Sequence, residues 1–324
     1  MKKLPVLLTI IVMDFLAGME FDLFVPSFPE LQHHFNLTPF WVEALLSSNF
    51  IGYCLSLFIV GDLADRIGRK PVILLGLITF ITGSILCLSE ISYPLLLTGR
   101  FLQGVGIAAP AILSFLIIAD SYSMNEQQFL LSMLNGSMNI AIAAAPVIGS
   151  YITKYYHWHG NFIALLLMGM TVFLMTLLFI PSYKLPEHKQ SFSLQEYRKI
   201  FQSTPVALIS LYFIASFVPY WVFVGMSPLL FMESLGVSLA HFGFYQGSLA
   251  LAFALGSILF GFIVNRYNHK KMLIIANLIC ILSLTTLLLV TFLKNPGALL
   301  ITLAFLPFII SQIAPVGILY PICL

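Results

Sequence analysis

The chain has 324 residues, 60% of them hydrophobic and only 9% charged, with a net charge of +2 at neutral pH. Its mean hydropathy is +0.99, whereas a soluble domain carries about a quarter of its residues as charges, so water cannot be its main solvent. Apolar runs of about 20 residues recur along the whole length, each long enough to cross a hydrocarbon core of about 30 Å as a helix. The short alternating segments of a porin-like barrel are missing, and the composition predicts an all-α polytopic membrane protein.

Ten spans are expected, at about 4–26, 41–60, 72–90, 94–118, 128–152, 161–181, 206–230, 241–263, 272–293 and 298–320. The first follows Lys2 and Lys3 directly, holds Asp14, Glu20 and Asp22, and lacks a small-residue cleavage site. It therefore reads as a retained span rather than a signal peptide. After the second span comes "GDLADRIGRKP" (61–71), five charges in eleven residues. The fourth span holds Arg100 and Gln103, and the fifth is rich in Gly and Ala around Pro146. The longest polar interval, 182–205, follows the sixth span. Within it "SLQEYRKIF" predicts a short surface helix with Leu194, Tyr197 and Phe201 toward the membrane.

Lys and Arg gather in cytoplasmic loops. With the N-terminus inside, the inner segments hold Lys2, Lys3, Arg66, Arg69, Lys70, Lys184, Lys189, Arg198, Lys199, Arg266, Lys270 and Lys271, and the outer ones only Lys154 and Lys294. A second loop, "GFIVNRYNHKK", begins at Gly261, 200 residues after Gly61. Gly, Arg and Lys coincide at 61/261, 66/266 and 70/270, which suggests two parallel six-span repeats with the second copy weakened. The expected domains are a six-helix bundle over 1–181, a cytoplasmic loop over 182–205 and a partial bundle of about four helices over 206–324. On this reading the chain stops at "YPICL" without an eleventh and a twelfth span.

Charges inside spans are costly and mark function. Counting about 1.5 Å per residue, Asp14 lies near the midplane. Asp22 sits about two turns further on and rotated by about 80°, so the two can line one cavity, while Glu20 points elsewhere. An acid at such depth can be neutral in one state and charged in another, which suits proton carriage, and a cationic substrate can compete for it. The plainer alternatives are a buried, hydrogen-bonded acid at Asp14 and a helix end near the interface at Asp22. Arg100, the basic residue inside a span, cannot lose its proton and needs acids; Asp22 is the first expected partner and Asp14 the second. An ion pair that only holds helices together is the alternative. Gln103 can bond substrate or Asp14.

In the seventh span Phe213, Phe217, Tyr220, Trp221 and Phe223 can stack on a flat or cationic ligand, or simply pack. Tyr245, Gln246 and Asn49 are further cavity candidates. His33, His34, His157 and His159 are expected in solvated outer loops, and Cys54, Cys87, Cys280 and Cys323 as small buried hydrophobes. In the 61–71 loop, Gly61 is expected to permit close approach and Gly68 a tight turn before Pro71. Asp62 and Asp65 beside Arg66, Arg69 and Lys70 can latch helices by charge-assisted bonds, or the loop can serve topology alone.

That loop resembles the G-x-L-a-D-R-x-G-R-[KR] motif of the major facilitator superfamily. "LLLTGRFLQGVGIAAPA" (95–111) is similar to its R-F-x-Q-G-x-G motif. "GSMNIAIAAAPVIGSYI" (136–152) resembles the fifth-helix motif of the proton-coupled antiporter branch, with two glycines replaced. "EFDLFVPSFPEL" (20–31) resembles the first helix of the bicyclomycin and chloramphenicol exporters. The resemblance implies a major facilitator fold and proton-coupled export of small hydrophobic or amphipathic molecules by alternating access. It ties Arg100 to proton coupling and the 61–71 loop to a conformational latch. Gly136, Pro146 and Gly149 lie on the antiporter-motif helix, whose small residues and proline suit either a bending seam between the halves or ordinary small-residue packing. Alternatives are a truncated, non-transporting remnant or scaffold, or a transporter of a specific metabolite or siderophore in either direction. No nucleophile elbow, phosphate loop or metal-ligand spacing is present, so neither an enzyme, a cofactor nor a metal is expected. The expected partners are a small hydrophobic or cationic substrate, protons and lipid, without nucleic acid. A monomer in a bacterial inner membrane, N-terminus in the cytoplasm, completes the expectation.

Overall fold

The computed structural model describes residues 3–89, 91–182, 204–263, 266–293 and 296–315. All regular structure among them is helical. The chain divides into two compact units, Met1–Phe192 and Ser193–Leu324.

In the first unit α1 runs Lys3–Asp22, and a short 3₁₀ turn, Val25–Ser27, leads into α2, Phe28–His34. Helix α3 spans Pro39–Ile67, α4 Arg69–Cys87 and α5 Tyr93–Ser121. A 56-residue helical run, Met124–Phe179, breaks at His157, where φ is 57°; its two parts are α6 (124–156) and α7 (158–179). The sequence writes these starts. Proline opens α2, α3 and α5 where an N–H would be unpaired anyway, and Ser123 and Glu126 form a capping box at α6.

Residue pairs fix how these helices run. Asp14 meets Ser137 and Gly18 meets Ala141, so α1 and α6 are parallel. Gly76 meets Ala109 and Gly83 meets Gly99, so α4 and α5 are antiparallel. Ser48 bonds the Leu97 carbonyl and Ser56 that of Val105, which makes α3 and α5 parallel. Phe80 packs on Gly169, and Lys70 Nζ donates to the Leu177 carbonyl at 2.8 Å, which sets α7 antiparallel to α4.

In the second unit α8 spans Thr204–Pro228 and continues as a π-helical turn, Leu229–Ser234. Helices α9 (Leu239–Ile263), α10 (His269–Thr291) and α11 (Ala298–Ser311) follow. Its core is aromatic: Phe223 stacks on Phe305 at 3.9 Å, and Phe305 on Phe308 at 4.9 Å. Pro307 interrupts the bonding of α11, and the neighbouring Phe308 N–H donates instead to Ser283 Oγ of α10.

Eight helical stretches among the described residues are long and apolar enough to cross a membrane. One of them, Met133–Phe179, has 47 residues, about 70 Å of helix and twice a bilayer core. The break at His157 divides it.

Several expectations need correction. The 61–71 segment is helix on both sides of one residue: the Asp62–Arg66 pair at i,i+4 supports the last turn of α3, Gly68, at φ 101°, makes the whole corner, and the Asp65–Arg69 pair bridges it. Gly61 does not permit a close approach, since a Cβ there would meet nothing within 4 Å. The outer loop expected between the fifth and sixth spans shrinks to His157, because Glu30 of α2 receives both the Trp158 N–H (2.9 Å) and His157 Nδ1 (2.8 Å). The outer histidines are not all solvated bystanders: His159 stacks on buried Trp158 at 3.6 Å. Cys54 is exposed rather than buried. Helix α11 is Ala298–Ser311 within a membrane-length stretch Ala298–Pro315, and the rest of the 298–320 span lies outside the described residues. The surface helix expected at 193–201, most of the 182–205 interval, and Cys323 lie outside the described residues.

Candidate functional site

The first unit encloses its charges where α1, α3, α4 and α5 meet. Gly104 of α5 lies against the carbonyl of Asn49 on α3, an approach no side chain allows. That closeness lets Asn49 Nδ2 bond the Arg100 carbonyl at 3.0 Å and Glu20 Oε1 at 2.7 Å. Arg100 is fully buried and donates from Nη1 to Glu20 Oε1 at 2.8 Å and to Gln103 Oε1 at 2.7 Å. Its Cζ sits 3.9 Å from the centre of the Phe24 ring, a cation–π contact strengthened by desolvation. Gln103 Nε2 passes the chain on to Ser84 Oγ of α4 at 2.8 Å, and the Cys87 thiol lies 3.6 Å from Gln103 Oε1.

The partner of Arg100 is therefore Glu20, not Asp22 or Asp14. The sequence reading placed Glu20 on another face of the first helix, but the rotation of α1 against α5 turns that face inward. Gln103 serves Arg100 and Ser84 rather than Asp14. Asp14, also buried, faces α6 and accepts from Ser137 Oγ at 3.0 Å. Asp22 is buried at the end of α1, with Oδ1 bonded to nothing among the described residues. Glu20 Oε2 and Arg100 Nε and Nη2 are likewise without hydrogen-bond partners there. Removing either partner of such a buried ion pair strands the other as an uncompensated charge.

Two neighbouring regions complete the unit. At the Gly68 corner, buried Arg69 reaches Asp65 at 2.8 Å and Asp120, at the end of α5, at 3.2 Å. Lys70 bonds the end of α7, so the predicted latch residues Asp65, Arg69 and Lys70 tie α3, α4, α5 and α7 together, while Arg66 pairs with Asp62 within α3. On α6, Gly149 lies against the Leu23 carbonyl just after α1, and Pro146 is buried within the helix. Gly136 makes no close approach.

The residues predicted in the second half sit in the second unit. Tyr220 and Trp221 pack edge to face at 5.1 Å on α8. Gln246 accepts from Ser227 Oγ at 3.3 Å, and Tyr245 lies 5.7 Å from Phe231. Phe223 is a core residue. Sequence reasoning missed Ser84, Phe24, Ser137 and Asp120, and read Cys87 as an inert hydrophobe. Only Asp120 left a signal, an acid at the end of a span facing a basic loop. No group of three or more His, Cys, Asp or Glu that could hold a metal ion exists among the described residues.

Comparison with known proteins follows the same lines. Chloramphenicol resistance protein CraA of Acinetobacter baumannii is 24% identical over 270 residues, covering 83% of this chain and 65% of its own length. Multidrug resistance protein MdtL of Salmonella heidelberg is 30% identical over 226 residues, 67% of this chain and 55% of its own. The chain thus spans less than two thirds of the length of these curated relatives. The crystal structure of a D-xylose-proton symporter superposes with a TM-score of 0.78 at 16% identity, over 100% of this chain and 82% of that one, which shows a shared fold. The sequence pattern of the Major Facilitator Superfamily matches residues 10–323, and the chain belongs to that family as a multi-pass membrane protein.

Proposed function

We propose that the chain carries out proton-coupled export of small hydrophobic or amphipathic molecules by alternating access, with six spans in its first unit and four in its second. The observation that carries this reading is the buried Glu20–Arg100 pair, bonded to Asn49 and Gln103, with Asp14 and Asp22 as further buried acids on the same helix. Burial of that much charge in a membrane-spanning unit is expensive, and proton exchange gives it a purpose. Asp14, Asp22 and Arg100 carry the coupling; Asp14, Glu20, Asn49, Gln103, Tyr220, Trp221, Tyr245 and Gln246 meet the substrate. The Asp65–Arg69–Asp120 ties act as the latch, and the Pro146–Gly149 stretch of α6 bends during the cycle. The relatives' names make chloramphenicol the first substrate to try. The protein sits in a bacterial inner membrane with its N-terminus in the cytoplasm and works as a monomer.

The test is purified full-length chain in lipid vesicles under an imposed pH gradient. Addition of chloramphenicol, or of a lipophilic cation, is expected to raise proton flux, and Asp14→Asn to abolish the rise. No stimulated flux in the wild-type chain overturns the transport reading. Unchanged flux in Asp14→Asn removes Asp14 from the mechanism.

A further inference from the structure

The second unit has a groove of about 540 Å³ between the ends of α9 and α11 and the start of α10. Its walls are apolar, with Phe260, Met272, Ala276 and Ile313 among them, and Tyr267, Asn268 and Lys271 stand at its mouth. Arg266, His269 and Lys270 flank the mouth and are exposed. The corresponding loop of the first unit neutralises its basic groups internally: Arg66 with Asp62, Arg69 with Asp65 and Asp120. Among the described residues of the second unit the one acid is Glu233, and it precedes α9, whose 25 residues put about 37 Å of helix between it and these basic groups. A cluster of basic groups beside an apolar slot, met by no acid among the described residues, matches the two halves of one ligand.

We infer that this groove binds an anionic phospholipid, its acyl chain between α9, α10 and α11 and its phosphate against Arg266, Lys270 and Lys271. Basic pockets between membrane helices favour such headgroups. The site is separate from the buried charges of the first unit, and lipid retention is read without transport, so each proposal can fail alone.

The experiment is native mass spectrometry of the purified full chain in micelles, titrated with phosphatidylglycerol or phosphatidylcholine of equal chain length. Phosphatidylglycerol is expected to be retained about tenfold better. The exposed triple substitution Arg266→Gln, Lys270→Gln, Lys271→Gln should erase the preference, and Lys270→Arg with Lys271→Arg should keep it. Gly256→Leu, which pushes a side chain toward Ile313 across the groove, should cut phosphatidylglycerol retention with the basic residues intact. Glycerol phosphate in solution should not compete. Equal retention of the two lipids by the wild type, a preference that survives the triple substitution, displacement by glycerol phosphate, or a co-purifying polypeptide filling the groove each overturns the assignment.

Discussion

The two units handle polarity in opposite ways. Every buried charged residue among those described, Asp14, Glu20, Asp22, Arg69 and Arg100, belongs to the first unit; the buried polar groups of the second are Ser, Thr and Gln. The corners repeat the contrast. In the first unit one glycine joins α3 to α4 and three acids bind the adjacent arginines. In the second, Asn268 caps α10 through its side chain, and no acid meets the basic cluster among the described residues. The comparison teaches that, among the described residues, the first unit encloses charges by pairing them and the second encloses neutral polar groups only.

The largest break in that contrast comes from the buried pair. Arg100→Ala leaves Glu20 as an uncompensated buried acid and is expected to cost about 3–5 kcal/mol, read by denaturant unfolding in micelles, whereas Glu20→Gln with Arg100→Gln together should recover much of that loss. Loss in the double substitution equal to that in Arg100→Ala would show that the pair's charge is not what matters. Next comes the corner. Gly68→Ala forces a side chain into a conformation nearly reserved for glycine and should cost about 1–3 kcal/mol, with the melting temperature lowered and α3–α4 hydrogen exchange raised; an unchanged melting temperature would show that the corner relaxes freely. The smallest effect separates the two loops. Arg66→Ala, which removes the exposed pair with Asp62, should cost at most about 1 kcal/mol and lose most of that penalty in high salt, while Arg266→Ala at the equivalent position should leave unfolding unchanged. Equal costs at both positions would erase the proposed difference.

Much of the fold was legible before any coordinates. Long apolar runs announce helices because backbone polar groups in lipid must be satisfied within the segment, and prolines and the Ser123–Glu126 box mark their starts. The corner at Gly68 was legible as a tight turn; that it takes a single residue, with α3 running to Ile67 and α4 starting at Arg69, was not. The one-residue join at His157 left no local mark, since Glu30, which holds it, is more than a hundred residues away. Within the site, the residue types were legible and the pairing was not. Helical counting relates Asp14, Glu20 and Asp22 to one another by fixed angles, but leaves open how far α1 rotates against its neighbours. That rotation follows from contacts distant in sequence, with Gly18 against α6 and Phe21 stacked on Phe50 of α3 at 4.6 Å.

What the sequence determined alone is the solvent of the chain, the helical material from which it is made and the short list of ions it tolerates inside. The tertiary structure decided which of those ions meet. Burial of Arg100 beneath Phe24, the approach of Asn49 allowed by Gly104, and the turn of α1 together select Glu20. Such a choice depends on the mutual orientation of four helices, which no single stretch of residues contains.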